Sequence, residues 1–140
     1  MSAVLSSLLL GYRLSLERAR SLEERGLLGP AAYHLYVALQ LRASSLLYLV
    51  EPGSSHNCSV SVILRLVERG LRNRGLVELA DRVRRLREEY RDAITWAERV
   101  HTLIMYKPLE ISREDMARVR ELIKRLDELW EELSSAPRSP

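Results

Sequence analysis

The chain has 140 residues, a single domain's length, and its 46% hydrophobic and 29% charged content supplies a core and excludes a disordered polar tail. A net charge of +3 with a pI near 9.3 permits nucleic acid without requiring it. The lone Cys58 excludes an internal disulfide and a cysteine-based zinc site, and a reducing cytoplasm is the expected compartment.

The first helix is expected over residues 3–25. Leu5, Leu8 or Leu9, Tyr12, Leu16, Ala19 and Leu22 form its apolar face, and Gly26 is a left-handed terminator. Leu8, Leu9 and Leu10 lack the basic residues that precede a signal-peptide core. The second helix begins near Pro30, favoured in a first turn, and stops at Val50 before Pro52 and Gly53. It is apolar nearly all round, so it must be covered on most sides, in part by a second subunit. Residues 31–50 have the length of a membrane span, but His34, Gln40, Arg42, Ser44 and Ser45 are costly in lipid. A buried central helix explains the run, and no membrane association is expected.

A Pro-, Gly- and Ser-rich loop over residues 51–57 precedes a short helix over 59–71, with Val60, Ile63, Leu64 and Val67 inward. Gly70 and Gly75 bracket the next turn. Leu76, Leu79, Val83, Leu86, Tyr90, Ala93, Ala97, Val100 and Ile104 then recur at spacings of three and four. With no Gly or Pro among them, they predict one uninterrupted helix over 76–106, roughly 45 Å long. Pro108 ends it. Ser112 with Asp115 reads as a capping box, Ile111 and Met116 as a hydrophobic staple. The last helix turns Met116, Val119, Leu122 or Ile123, Leu126, Leu129 or Trp130, and Leu133 inward, and residues 134–140 read as a frayed tail. With no strand signal and no repeat, the expected fold is all-α: an antiparallel four-helix up-and-down bundle with an additional short helix. It forms a single domain over residues 1–140, its core at about 3–133.

Helix one into helix two reads ERARSLEERGLLGPAAYHLYVALQLRASSLL. This stretch resembles HEPN domains, in which a helix ends in a Leu-rich turn and Gly, and the next opens on Ala-Ala-aromatic-His, here Ala31 to His34. His56 before the third helix, the long fourth helix, the Tyr-Lys-Pro break and a fifth helix complete the order. The resemblance covers about residues 12–133 and implies a helical bundle that usually dimerises. Many HEPN proteins are RNases, often the toxin of a pair whose antitoxin is a minimal nucleotidyltransferase; others have lost catalysis and act in binding or assembly. Active members carry Arg, four to six residues, then His near the end of the long helix, and some add a Tyr that the antitoxin modifies with a nucleotide. Arg99 fits the Arg and Tyr106 fits the Tyr. The His position falls on Ile104, which cannot move protons. Tyr36, Val37, Gln40 and Leu41 also depart from the Gln, Glu and Lys common in the family's second helix.

His101 is the candidate replacement for the missing histidine, against a reading as a partly buried helix-edge residue. Arg99 could bind phosphate, or pair with Asp92, Glu98 or a Glu of the last helix. Tyr106 is either the modified tyrosine or a cap over the helix end. His34 reads as a core or interface histidine. Arg84, Arg87 and Arg91 lie at i, i+3 and i+7, a stripe that could hold an RNA backbone or be an ordinary solvated face with Glu78, Glu88 and Glu89. Of the 22 Lys plus Arg, only Lys107 and Lys124 are lysine. Arg suits ion pairs and RNA alike, and the bias fits a GC-rich genome or a hot habitat equally. No metal set, cofactor motif or phosphate loop is expected.

The leading expectation is a HEPN-like homodimer with a degenerate RNase motif. It would act as a nucleotide-, RNA- or partner-binding component of a toxin–antitoxin-type system. The alternatives are an active metal-independent RNase using Arg99 and His101, and a purely structural interaction module.

Overall fold

The computed structural model describes residues 2–54, 59–103 and 111–135. Six helices occur among them: α1 (Ala3–Glu24), α2 (Leu28–Val50), α3 (Val60–Asn73), α4 (Val77–Glu89), α5 (Arg91–Leu103) and α6 (Arg113–Ser135). No strand is present among the described residues, and the fold is all-α.

Local sequence places most helix ends. Ser2 Oγ accepts from Leu5 N–H at 3.1 Å, and Ser59 Oγ accepts from Val62 N–H at 3.3 Å. Ser112 Oγ accepts from the N–H groups of Glu114 and Asp115 at 3.1 and 3.3 Å. Each hydroxyl satisfies amides that a first helical turn leaves without partners. The α1 and α3 ends share one design. Gly26 and Gly75 adopt φ of 76° and 77°. After Gly26, Leu27 N–H reaches back to Leu22 C=O at 2.9 Å; after Gly75, Leu76 N–H reaches Leu71 C=O at 2.9 Å. This six-to-one closure needs a left-handed residue, which glycine supplies without steric cost. Both connections are three residues long, so α1–α2 and α3–α4 are antiparallel neighbours.

The core is built around α2, which packs against α1, α3, α5 and α6. Leu35, Leu39, Leu46 and Leu47 are fully buried, each stabilising the fold by about 1.5–3 kcal/mol relative to exposure. The chain's own helices supply much of this cover, and a face of α2 with Tyr33 exposed and His34, Val37, Gln40 and Leu41 half-buried is left for the second subunit that was expected to share it. Large apolar side chains left exposed include Tyr33 on α2 as well as Val4, Leu10 and Leu14 on α1 and Leu76 and Val77 at the start of α4.

The single helix expected over residues 76–106 is interrupted. Its seam survives, with Val83, Tyr90, Ala93, Ala97 and Val100 buried, but the backbone ladder breaks at Tyr90. Tyr90 N–H bonds Leu86 C=O and Ile94 N–H bonds Tyr90 C=O, both at 2.9 Å. Among the described residues, no amide from 91–93 reaches back to the carbonyls of 87–89. Arg118 of α6 explains the break. Its Nη2 donates to Glu89 C=O at 2.9 Å, and its guanidinium lies 4.3 Å from the Tyr90 ring centroid. A side chain that takes a helical carbonyl kinks the helix there. Ile104 and the Lys107–Pro108 break fall outside the described residues.

Candidate functional site

The end of α5 presents two faces. Ala93, Ala97 and Val100 point inward at spacings of four and three, which turns Arg99, His101 and Thr102 outward, all three exposed. Thr102 Oγ1 returns a hydrogen bond to Glu98 C=O at 2.9 Å.

His101 is exposed yet held. Its ring stacks on Tyr36 with centroids 4.3 Å apart and planes 23° from parallel. Tyr33, one turn earlier on α2, stacks on it at 5.7 Å and 20°. Tyr33 also meets His34 edge-on at 5.4 Å. Tyr36 is buried beneath this layer, whereas Tyr33 remains 37% exposed. Three aromatic rings from α2 and α5 thus form one stacked cluster, a platform in which His101 and Tyr33 are exposed. Burial, and then the charge of Glu98, push the Tyr36 phenol up to about 12, so it is a neutral hydroxyl at physiological pH. Burial and then the Arg18 charge lower the His34 pKa from 6.5, favouring its neutral form.

Glu98 has a separate task. Its Oε1 accepts from Val60 N–H at 2.7 Å, so a carboxylate from α5 caps the start of α3. This contact ties the α3 entrance to the platform's supporting helix.

Arg99 is exposed and makes no ion pair among the described residues. Neither Asp92 nor Glu98 holds it; Asp92 pairs instead with Arg118 at 3.4 Å. Arg99 and His101 do not share a face, because residues two apart on an α-helix point away from each other. His101 also has no hydrogen-bond partner among the described residues to orient it as a proton-transfer group. Tyr106 and His56 lie outside the described residues.

The arginine stripe separates into different settings. Arg84 pairs with Asp81 at 3.7 Å on its own helix. Arg87 and Arg91 instead line a notch between α3 and the α4–α5 kink, together with Ser61, Arg65, Ile94 and Thr95. Arg87 Nη2 lies 3.3 Å from Glu68 Oε1. Much of the remaining arginine excess is spent on ion pairs between helices, including Arg42–Asp127, Arg72–Asp81, Arg82–Glu132 and Arg120–Glu23.

Sequence reasoning missed the stacking partners. Tyr33 and Tyr36 stand at i and i+3 on α2, a signal that they share a face, but nothing local shows that His101 lands on them. It also missed Ser61 and Thr95, which reach the notch from α3 and α5. Among the described residues no group of three His, Cys, Asp or Glu side chains is placed to hold a metal.

A model of the HEPN domain family matches residues 13–135. The chain belongs to the HEPN domain family. Membership points to an RNase-like or nucleotide-related role, and HEPN domains often oligomerise. No curated protein and no solved structure matches the chain. No described helix is long and apolar enough to cross a membrane.

Proposed function

We propose that this HEPN protein binds rather than cuts: it holds a nucleotide or single-stranded RNA segment as the binding component of a toxin–antitoxin-type pair. The observation that carries this reading is the His101–Tyr36–Tyr33 stack, with Arg99 exposed on the same last turns of α5. The exposed aromatic edge that His101 and Tyr33 present over the buried Tyr36 offers a base a stacking partner, and base–aromatic stacking is worth about 1–3 kcal/mol per base. Arg99 supplies a guanidinium for the accompanying phosphate. The same geometry disfavours hydrolysis by His101 and Arg99 on one helix, since the two diverge.

In this reading the protein is a homodimer, and its partner is a minimal nucleotidyltransferase whose nucleotide chemistry matches the platform. The decisive experiment incubates labelled single-stranded RNA with the purified protein, with and without EDTA, beside Arg99→Ala and His101→Ala. Intact RNA that is retained by the wild type and released by both variants is the expected result. EDTA-resistant cleavage lost in both variants would replace this reading with an RNase. RNA neither bound nor cut would end it.

A further inference from the structure

The notch at the α4–α5 kink is a second feature that the aromatic platform does not explain. It has a volume of about 260 Å³ and is lined by Ser61 and Arg65 of α3, Arg87 of α4, and Arg91, Ile94 and Thr95 of α5. Three arginines line it and no carboxylate is among the lining residues. Neither Arg65 nor Arg91 makes an ion pair among the described residues, and both are exposed. Arg87 is better covered but incompletely satisfied. It lies beside Glu68, yet its Nη1 is buried without a hydrogen-bond partner, and Glu68 Oε1 is likewise unpartnered. Buried charged donors without partners are costly. Converging like charges add to that cost, and a bound anion offsets both.

The α3 N-terminus is not the source of this potential. Two of its first three amides are already taken, Val60 N–H by Glu98 and Val62 N–H by Ser59. The notch is a side-chain site. Guanidinium forks match the oxygens of a phosphate two at a time, and the Ser61 and Thr95 hydroxyls are neutral donors that adapt to a third oxygen. Ile94 closes one wall without competing for hydrogen bonds. Arg91, Thr95 and Arg99 recur every fourth residue along α5, so the notch and Arg99 lie on one stripe, with Arg99 about 6 Å beyond Thr95 and about 12 Å beyond Arg91 by helical rise.

We propose that this notch is a binding site for a phosphate group, with Arg65, Arg87 and Arg91 as its charged donors. The site is distinct from the aromatic platform and does not depend on it. The phosphate comes either from a nucleic-acid strand or from a free nucleotide, and the two sources are separable by experiment.

The test follows the Arg Nε–Hε resonances and the melting temperature of the full chain. The titrants are inorganic phosphate, a nucleoside monophosphate and a single-stranded RNA oligonucleotide, against chloride at equal ionic strength. Arg65→Gln and Arg91→Gln alter exposed residues and leave the core intact. Arg125→Gln, an exposed α6 residue paired with Glu128 at 3.4 Å, controls for the loss of one positive charge. Phosphate is expected to raise the melting temperature of the wild type and of Arg125→Gln. Each notch variant is expected to weaken phosphate about tenfold, as loss of a charge-assisted hydrogen bond should. A strand as the source predicts that each notch variant also lowers the RNA salt-dependence slope by roughly one contact. A free nucleotide predicts tenfold loss for the monophosphate with an unchanged RNA slope. Equal phosphate binding by wild type and both notch variants, or equal weakening by Arg125→Gln, overturns the proposal. Phosphate binding that survives Arg99→Ala and His101→Ala, in a protein that ignores RNA, upholds the notch while the binding reading of the platform fails.

Discussion

Arg42 and Arg87 both project from helices toward the protein interior, and their surroundings differ in kind. Arg42 on α2 is 7% exposed. Its Nε donates to Asp127 Oδ1 at 2.8 Å and its Nη1 to Ser45 Oγ at 3.4 Å. The guanidinium lies 3.9 Å from the Tyr12 ring centroid and 5.0 Å from that of Trp130. Tyr12 donates its hydroxyl to the same Asp127 oxygen at 2.6 Å, and burial followed by that bond raises the Tyr12 pKa. The network joins α1, α2 and α6 with a partner for each charge. Arg87 instead keeps one orphaned nitrogen, one poorly aligned carboxylate and two further arginines for company. The first arrangement is closed and structural. The second is electrostatically open and calls for an anion. The contrast shows that the placement of counter-charges, rather than burial, separates a structural arginine from a candidate binding one.

Asp127→Ala breaks the closed side most severely. It leaves Arg42 buried without its carboxylate, and urea unfolding should show a loss of about 2–3 kcal/mol. That is below the 3–5 typical of a wholly buried pair, because the Asp127 side chain is 42% exposed. Glu98 also belongs to the closed class. Glu98→Ala removes the α3 cap and should cost about 1 kcal/mol, and ultraviolet titration should show the Tyr36 phenol ionising below its present value of about 12.

Arg87→Met tests the open side. Glu68 keeps Arg72, at 3.5 Å, and the repulsion among three arginines is relieved. The stability change should stay under about 1 kcal/mol in either direction; a loss as large as that of Asp127→Ala would erase the distinction.

The pH dependence should follow the buried Tyr36 and the half-buried His34. Tyr36 is neutral in the fold up to about 12 but titrates near 10.0 when unfolded. Its contribution is whole below pH 10 and is lost as pH climbs from 10 to about 12. The His34 pKa is lowered from 6.5, so its contribution is whole above pH 6.5 and declines as pH falls below that value. Melting temperatures recorded across both windows check the two directions, with Tyr36→Phe and His34→Gln flattening their respective limbs.

Much of the fold was legible because its signals are local. Ser59 and Ser112 mark helix starts, Gly26 and Gly75 mark ends, and the three-four spacing of Val83, Tyr90, Ala93, Ala97 and Val100 marks the buried seam. The kink at Tyr90 was not legible. Its cause is Arg118, which arrives from α6 and takes a carbonyl that the local sequence would have left to the helix. The candidate site divides in the same way. Arg87 and Arg91 were visible as a stripe, but Arg84 leaves it for Asp81 and Arg65 joins from another helix. His101 was singled out on its own helix, while Tyr33 and Tyr36, on which it rests, belong to α2.

The helices, most of their ends and their inward faces were legible in the chain alone, because they follow from backbone hydrogen bonding and side-chain spacing within a few residues, and the HEPN resemblance was legible from motifs and helix order. Tertiary structure alone decided which charges are paired, where the long helix breaks and which rings stack. Arg42 and Asp127 are 85 residues apart in the chain, and no local pattern encodes a contact whose partners meet only when α2 and α6 pack.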